Sequence, residues 1–380
     1  MLRNKRFTYI MKHNERLESL DVFRGITVAA MILVNNPGTW NHIYSPLRHA
    51  AWNGCTPTDL IFPFFLFIVG VSIHFAYQHK ATEGLTRKLF LKILRRTFII
   101  FALGIFLSLF PKFDFSVVRI PGVLQRISVV FFFSSVLYLT TNWLTQIRVA
   151  VVLLLAYYIL MIFVPVPGFG TPNLEPETNL GAWIDRTLLE GHLWVQSKTW
   201  DPEGVLSTMP AIVTGIIGML VGKLFTEIKE PAMRVSWMFF IGAILITLGL
   251  GWGMVFPINK SLWTSSFVLY TAGIGMQLLA ACHWLIDVQG VKAWSKPFTY
   301  YGMNAIFVFV ASGLLAKIMG RIKVADGAGG EISLWTYIYI NAFESWLAPV
   351  NASLLFALTL VVIFGLLLWW MYKRNIFIKI

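Results

Sequence analysis

Ten runs of predominantly apolar residues, near 22–36, 59–78, 97–110, 123–141, 149–166, 206–225, 235–255, 264–286, 298–319 and 351–372, limit what this chain can fold into. About 20 such residues in a row match the hydrocarbon thickness of a bilayer. In lipid every backbone N–H and C=O must be bonded within the protein, which leaves helices or a closed barrel, and unbroken apolar runs of this length are helical. The expected fold is all-α, a polytopic membrane protein of about ten transmembrane helices. The run at 22–36 is the weakest, because ITVAAMILV is short and is bracketed by Arg24 and Asn35. Of the 380 residues 57% are apolar and 13% charged, against about 25% charged in an ordinary soluble domain, which argues against a water-soluble globular enzyme.

A net charge of +13 would suggest nucleic acid for a soluble protein, but here the 31 Lys and Arg mainly flank the apolar runs. The bilayer is therefore the expected partner, and nucleic acid is not. An even number of spans puts both termini on one side. With the termini in the cytoplasm, the inside segments hold 21 of the 31 basic residues, the bias expected when Lys and Arg resist translocation. The polar, basic opening shows no cleavable signal pattern, so the first span is expected to be retained. Residues 1–21 read as a cytoplasmic segment, 22–372 as one membrane domain and 373–380 as a cytoplasmic tail. The longest external connection, at about 166–206, carries Trp183, Leu188, Leu189, Leu193 and Trp194, which favour an ordered lid. Cys55 and Cys282 match no metal spacing, so neither a disulfide framework nor a metal site is expected.

Ionisable groups close to hydrocarbon are costly and mark cavities or bundle interiors. The richest cluster is NNPGTWNHIYSPLRHAAWNGCTPTDL, which holds His42, Arg48, His49, Trp52, Asn53, Thr56 and Asp59 ahead of an apolar run. His49 and Asp59 suit general-base chemistry: an imidazole takes a proton near neutral pH, and a carboxylate holds the ring and stabilises the imidazolium. The same residues also fit a hydrogen-bonded loop histidine and an N-cap. In RIPGVLQRISV, Arg119, Gln125 and Arg126 stand at the mouth of the fourth run, where a guanidinium either meets an anion or water-filled space or snorkels to the interface. Arg24 has the same two readings, with Asp21 as its local partner. Asp201 and Glu203 in WDPEG either orient a sugar or cap a helix. Asn259 and Lys260 in PINKSLW sit at an external end, and Asn304 in YGMNA fits interhelical bonding.

Taken in order, LDVFRG, VNNPG, RHAAWNGCTPTDLIFPFFLFIVGVSI, RIPGVLQRISV, WDPEGVLSTMPAIVTGIIGMLVGK, PINKSLWTSSFVLYT and YGMNAIFVF closely resemble the heparan-α-glucosaminide N-acetyltransferase family, over about Leu20 to Phe309. The resemblance implies a multi-pass enzyme that passes acetyl from cytosolic acetyl-CoA to a glucosamine amine across the membrane. It places the family's catalytic histidine at His49, with Asp59 and Asn35 beside it, the latter as an oxyanion donor. Cofactor contacts are expected from Arg24, Trp52, Asn53, Gln125, Arg126 and Asn304, and substrate contacts from Asp201, Glu203, Asn259 and Lys260. No metal is implied, and a homodimer is. Because the segment before LDVFRG is short and the charge pattern resembles a bacterial inner-membrane protein, free glucosamine or the amino-sugar ends of glycans are the expected acceptors. Two other classes remain open on the residues alone. One is a transporter or flippase lined by Arg126, Asn304 and Asp59; the other is an O-acyltransferase of an envelope glycan.

Overall fold

The computed structural model describes residues 17–326 and 329–378, so residues 1–16 and 379–380 of the expected terminal segments lie outside the described residues. Helix α1 is Glu18–Asn35. A one-turn 3-10 helix at Pro57–Leu60 leads into α2, Ile61–Tyr77. Then come α3, Arg87–Leu109, α4, Val123–Thr140, and α5, Trp143–Phe163. The long connection carries α6, Leu180–Leu189, before α7, Thr208–Glu227, and α8, Pro231–Gly253. Helix α9, Ser265–His283, runs on into a π-helical turn, Trp284–Val288. Helices α10, Lys296–Met303, and α11, Ala305–Arg321, precede a small hairpin of β1, Lys323–Ala325, and β2, Glu331–Ser333. Helices α12, Leu334–Tyr339, and α13, Pro349–Lys373, complete the order.

A helix lies at each of the ten expected places, but among the described residues only seven helices are long and apolar enough to cross a membrane, or eight when a bent pair counts as one. The reason is charge: α1 carries Glu18, Asp21 and Arg24, and α3 carries Arg87, Lys88, Lys92, Arg95 and Arg96. The run at 298–319 is not one straight helix, because α10 and α11 meet at Asn304 with an 81° bend. The hairpin, paired antiparallel with Val324 opposite Ile332, is an addition to the all-α expectation.

Helix starts are closed by side chains where the sequence offers them. Thr86, Asn142 and Thr264 accept from the N–H of Leu89, Thr145 and Phe267, satisfying donors that lipid could not. The main core lies between α2, α7 and α9, around Phe67, Val71, Ile216, Val268 and Met276. A second joins α1 to α10–α13 through Ile32, Tyr301, Val308 and Phe356. Outward faces of α5 and α8 expose Val152, Phe240 and Leu248, as lipid contact requires.

Helices α2 and α7 approach to backbone contact. A Cβ at Gly70 would stand 2.0 Å from the Gly215 carbonyl oxygen, and one at Gly218 would stand 2.1 Å from that of Phe67. Small residues are what let helices pack this closely in lipid, where no hydrophobic force drives them together. Gly70→Ala is therefore expected to cost about 1–3 kcal/mol through overpacking, seen as a lower thermal midpoint in detergent. Gly251→Ala, where a Cβ meets nothing within 4 Å, should leave the midpoint in place or raise it.

Candidate active site

The turn Thr56-Pro57-Thr58-Asp59 starts α2 with a capping box, Thr56 at the cap and Asp59 three residues on. Asp59 is 1% exposed. Its Oδ2 accepts from the backbone N–H of Thr56 and of Ala50, each at 3.0 Å, while Oδ1 lies 2.7 Å from His49 Nδ1. Oδ2 thus makes the capping contacts, while Oδ1 faces the ring of His49. With a carboxylate at Nδ1, the hydrogen-bond network assigns the ring proton to that nitrogen and leaves a lone pair on Nε2. The His49 side chain is 47% exposed, so Nε2 is reachable.

Lys260 completes the cluster. Its Nζ lies 3.0 Å from His49 Nδ1, 3.4 Å from Nε2 and 3.6 Å from Asp59 Oδ1. Burial lowers the Lys260 pKa, against the pull of Asp59 and Glu203. The loop that presents it is held rigidly. Asn259, fully buried, donates to Asn53 Oδ1 at 3.1 Å and accepts from the Leu262 N–H at 2.8 Å, and the Gly54 N–H donates to the Ile258 carbonyl at 2.7 Å. Asn53 and Asn259 therefore bond the two loops to each other. Cys55, beside this cluster, has its thiol pushed up to about 12 by burial and by Asp59, so it stays protonated and unreactive near neutral pH.

Over the cluster runs the connection that carries α6. Arg119 donates to Asp201 from Nε at 2.8 Å and from Nη2 at 2.6 Å, and also to Glu203. Burial alone would lower its pKa, but the two carboxylates outweigh this and raise it. Asp201 and Glu203 are thereby engaged together as a clasp on Arg119. Asp185 accepts from the N–H of Val205 at 2.9 Å and of Asp201 at 3.3 Å. Trp52 donates from Nε1 to the Leu174 carbonyl at 3.0 Å, and its ring meets Trp200 edge-on at 5.2 Å. Trp52 thus ties its loop to the connection that carries α6.

Burial raises Asp185 from 3.8 to about 6, Asp201 adding to the rise and the two N–H donors opposing it. The folded state binds this proton more tightly than the unfolded chain, so Asp185 carries no penalty below pH 3.8, and stability falls as pH climbs from there through about 6. Against Asp185→Asn, which does not titrate in this window, the wild-type thermal midpoint should drop across that range and run parallel above it.

Arg126 is fully buried one turn into α4. It donates from Nη2 to the Gly204 carbonyl at 3.1 Å and to Ser207, and its guanidinium lies 5.1 Å from the Trp263 ring. Among the described residues no group accepts from its Nε or Nη1. Through Nη2 it supports the outer loops from beneath. Gln125 packs between Gly104 and Gly122. Asn304 donates to the Ile376 carbonyl at 3.3 Å and accepts from the Ile378 N–H at 2.9 Å, tying the C-terminal segment to the bend.

Arg24 donates to Asp21 at 3.0 Å, Ser72 at 2.9 Å and the Gly302 carbonyl at 3.4 Å. It lines a cavity of about 360 Å³ between α1, α2, α3, α4 and the bent pair, with Arg96 at the same end and Phe65, Val123 and Leu124 at the other. Asp59, Gln125, Arg126 and Asn304 are not among the residues that line it. Asn35 is exposed at the end of α1 and lines an open cleft with Trp40, Trp335 and Thr336, which includes neither His49 nor Asp59. Its neighbour Asn36 is buried and donates back to the Ile32 carbonyl.

A second histidine–carboxylate pair shows what distinguishes the first. His283 Nδ1 lies 2.7 Å from Asp287, but its Nε2 meets the Arg234 guanidinium at 3.1 Å and the side chain is 2% exposed. Its burial is what sets it apart from the half-exposed His49. Among the described residues no three His, Cys, Asp or Glu side chains gather as metal ligands.

The sequence profile described as "Heparan-alpha-glucosaminide N-acetyltransferase, catalytic" matches residues 16–252, which include His49, Asp59, Arg119 and Arg126. A mouse protein named heparan-alpha-glucosaminide N-acetyltransferase is 31% identical over 371 aligned residues, covering 82% of this chain and 55% of its own length. The human protein of that name is 31% identical over 354 residues, covering 78% and 52%. The chain spans about half the length of the curated relatives it matches.

Proposed function

Because the chain belongs to the heparan-alpha-glucosaminide N-acetyltransferase family, we propose that it is a membrane-embedded enzyme moving acetyl from acetyl-CoA to the amine of a glucosamine or glucosaminide end. The observation that carries this reading is the His49–Asp59 pair, with Nδ1 held at 2.7 Å on a side chain that is 47% exposed and with the Lys260 amine 3.4 Å from Nε2. The acceptor amine attacks in its neutral form, Nε2 takes the proton released from the nitrogen as the N–C bond forms and the C–S bond breaks, the Asp59 carboxylate stabilises the imidazolium, and the ring then returns the proton to the departing thiolate. This is the direct route, with no acetyl group on His49. The Trp52 and Trp200 rings, packed edge to face, offer an apolar surface for a sugar ring beside it.

The donor reaches the site from the opposite end of the bundle in this reading, with His49 facing the periplasm and the termini in the cytoplasm of a bacterial inner membrane. The cavity supports it: two guanidiniums, Arg24 and Arg96, stand at one end, where an anionic donor would be held, and the rest of the lining is largely apolar. Its far end, at Phe65, is six residues beyond Asp59, about 9 Å along a helix.

The test is product mass spectrometry on proteoliposomes given acetyl-CoA and a panel of amino and neutral sugars. N-acetylated glucosamine is expected. Product on neutral sugars alone would favour an O-acyltransferase, and sugar uptake without any need for acetyl-CoA would favour transport.

A further inference from the structure

The pocket that holds His49 also holds a primary amine. Lys260 Nζ stands within 3.4 Å of both ring nitrogens and 3.6 Å from the buried carboxylate of Asp59. An acceptor amine has to occupy such a position if His49 is to take its proton. The lysine is not there by the wandering of a long side chain. Its backbone is fixed through Asn259, itself bonded to Asn53 and to the Leu262 N–H, and its side chain is 21% exposed. Desolvation lowers the charge on this amine, which favours the nucleophilic form. The charged and titratable groups around it are His49, Asp59, Glu203 and Cys55.

From this geometry, and resting on the acetyltransferase reading above, we infer that Lys260 is an internal acetyl acceptor, and that without an amino sugar the protein acetylates its own Lys260 Nζ. In the step, the Nζ lone pair forms the N–C bond to the acetyl carbonyl carbon and the thioester C–S bond breaks. The proton lost from Nζ passes to His49 Nε2 and from there to the leaving thiolate. The products are Nε-acetyl-Lys260 and free CoA thiol, with no other reactant. Acetylation removes the positive charge that faces Asp59 and leaves an acetyl group where the sugar amine would sit. Self-acetylation is therefore also self-inhibition, and a bound amino sugar protects against it.

The experiment incubates the purified full chain in lipid nanodiscs with acetyl-CoA, with and without saturating glucosamine. The peptide containing Lys260 is followed by mass spectrometry, and sugar product is measured in the same samples. The expected result is one acetyl group on Lys260, stable to hydroxylamine as an acyl-imidazole would not be. Glucosamine should suppress the label, and loss of transfer activity should track it. His49→Ala should slow labelling by about 100-fold, and Lys260→Arg, which keeps the charge, should give no label at 260. An unmodified Lys260 in a preparation that is converting glucosamine overturns the inference and leaves the acetyltransferase reading standing. Equal labelling in His49→Ala marks uncatalysed chemistry and also overturns it. Neither sugar product nor label would overturn both.

Discussion

His49→Ala lowers acetyl transfer to glucosamine by about 100- to 10,000-fold, the range that one positioned general base contributes, while the thermal midpoint stays close to that of the wild type. Both halves follow from the geometry. The side chain is nearly half exposed and, among the described residues, makes its polar contacts with Asp59 and Lys260, so its removal opens little core. Asp59 keeps the N–H groups of Thr56 and Ala50, and Lys260 remains as a nearby cation. Asp59→Asn should lose most of the same rate, because an amide that turns its NH2 to the ring selects the wrong tautomer. It should also cost some stability, because Oδ2 caps α2. The double variant should be little slower than His49→Ala alone, since the two groups act as one unit. Steady-state kinetics with acetyl-CoA and glucosamine, beside melting curves, decide the matter. Near-wild-type turnover in folded His49→Ala would remove the base from the mechanism.

What could be read from the sequence and what could not divides along contact range. The ten helical places were legible because an apolar run has few options in lipid. The His49–Asp59 pair was legible because ten residues on one loop separate its members. Lys260 comes to the same ring from 211 positions away, and nothing periodic or compositional announces that meeting. Arg119 is 82 positions from Asp201; from sequence alone the first either met an anion or snorkelled and the second either oriented a sugar or capped a helix, whereas they face one another. Asn304 reads as interhelical glue in an apolar run, but it sits at a bend with no proline, its amide taken by residues 376 and 378. The hairpin escaped notice because three-residue strands hold too little alternation to register beside helices. Asn35 and Asn36 are adjacent in VNNPG, and only helix phase decides that the first faces an open cleft and the second is buried.

Arg119→Ala is expected to have the largest effect on stability, about 3–5 kcal/mol, since removing one partner of a buried pair strands the other charge. The Asp201 side chain is 0% exposed and that of Glu203 8%, with Asp185 a third carboxyl close by. Without the guanidinium, these acids face each other under a loop that has little water to screen them. The Glu203 N–H still reaches Asp201 at 2.9 Å, which offsets only part of the loss. Arg119→Lys keeps the charge but cannot span both carboxylates with a planar fork, so its melting point should fall between those of wild type and alanine variant. Asp201→Asn in the Arg119→Ala background should recover stability, with a coupling of about 0.5–3 kcal/mol. Activity should fall with the clasp, through a definite chain of contacts. The strap residues Gly204 and Ser207 hold Arg126, Arg126 lies under Trp263, and Trp263 closes the loop that presents Lys260 to His49. Limited proteolysis between residues 190 and 206, run beside the melts, separates the two levels: early cleavage with the bundle intact means the clasp secures the outer loops alone. An unchanged melting point and cleavage pattern would show that Asp201 and Glu203 are satisfied without Arg119.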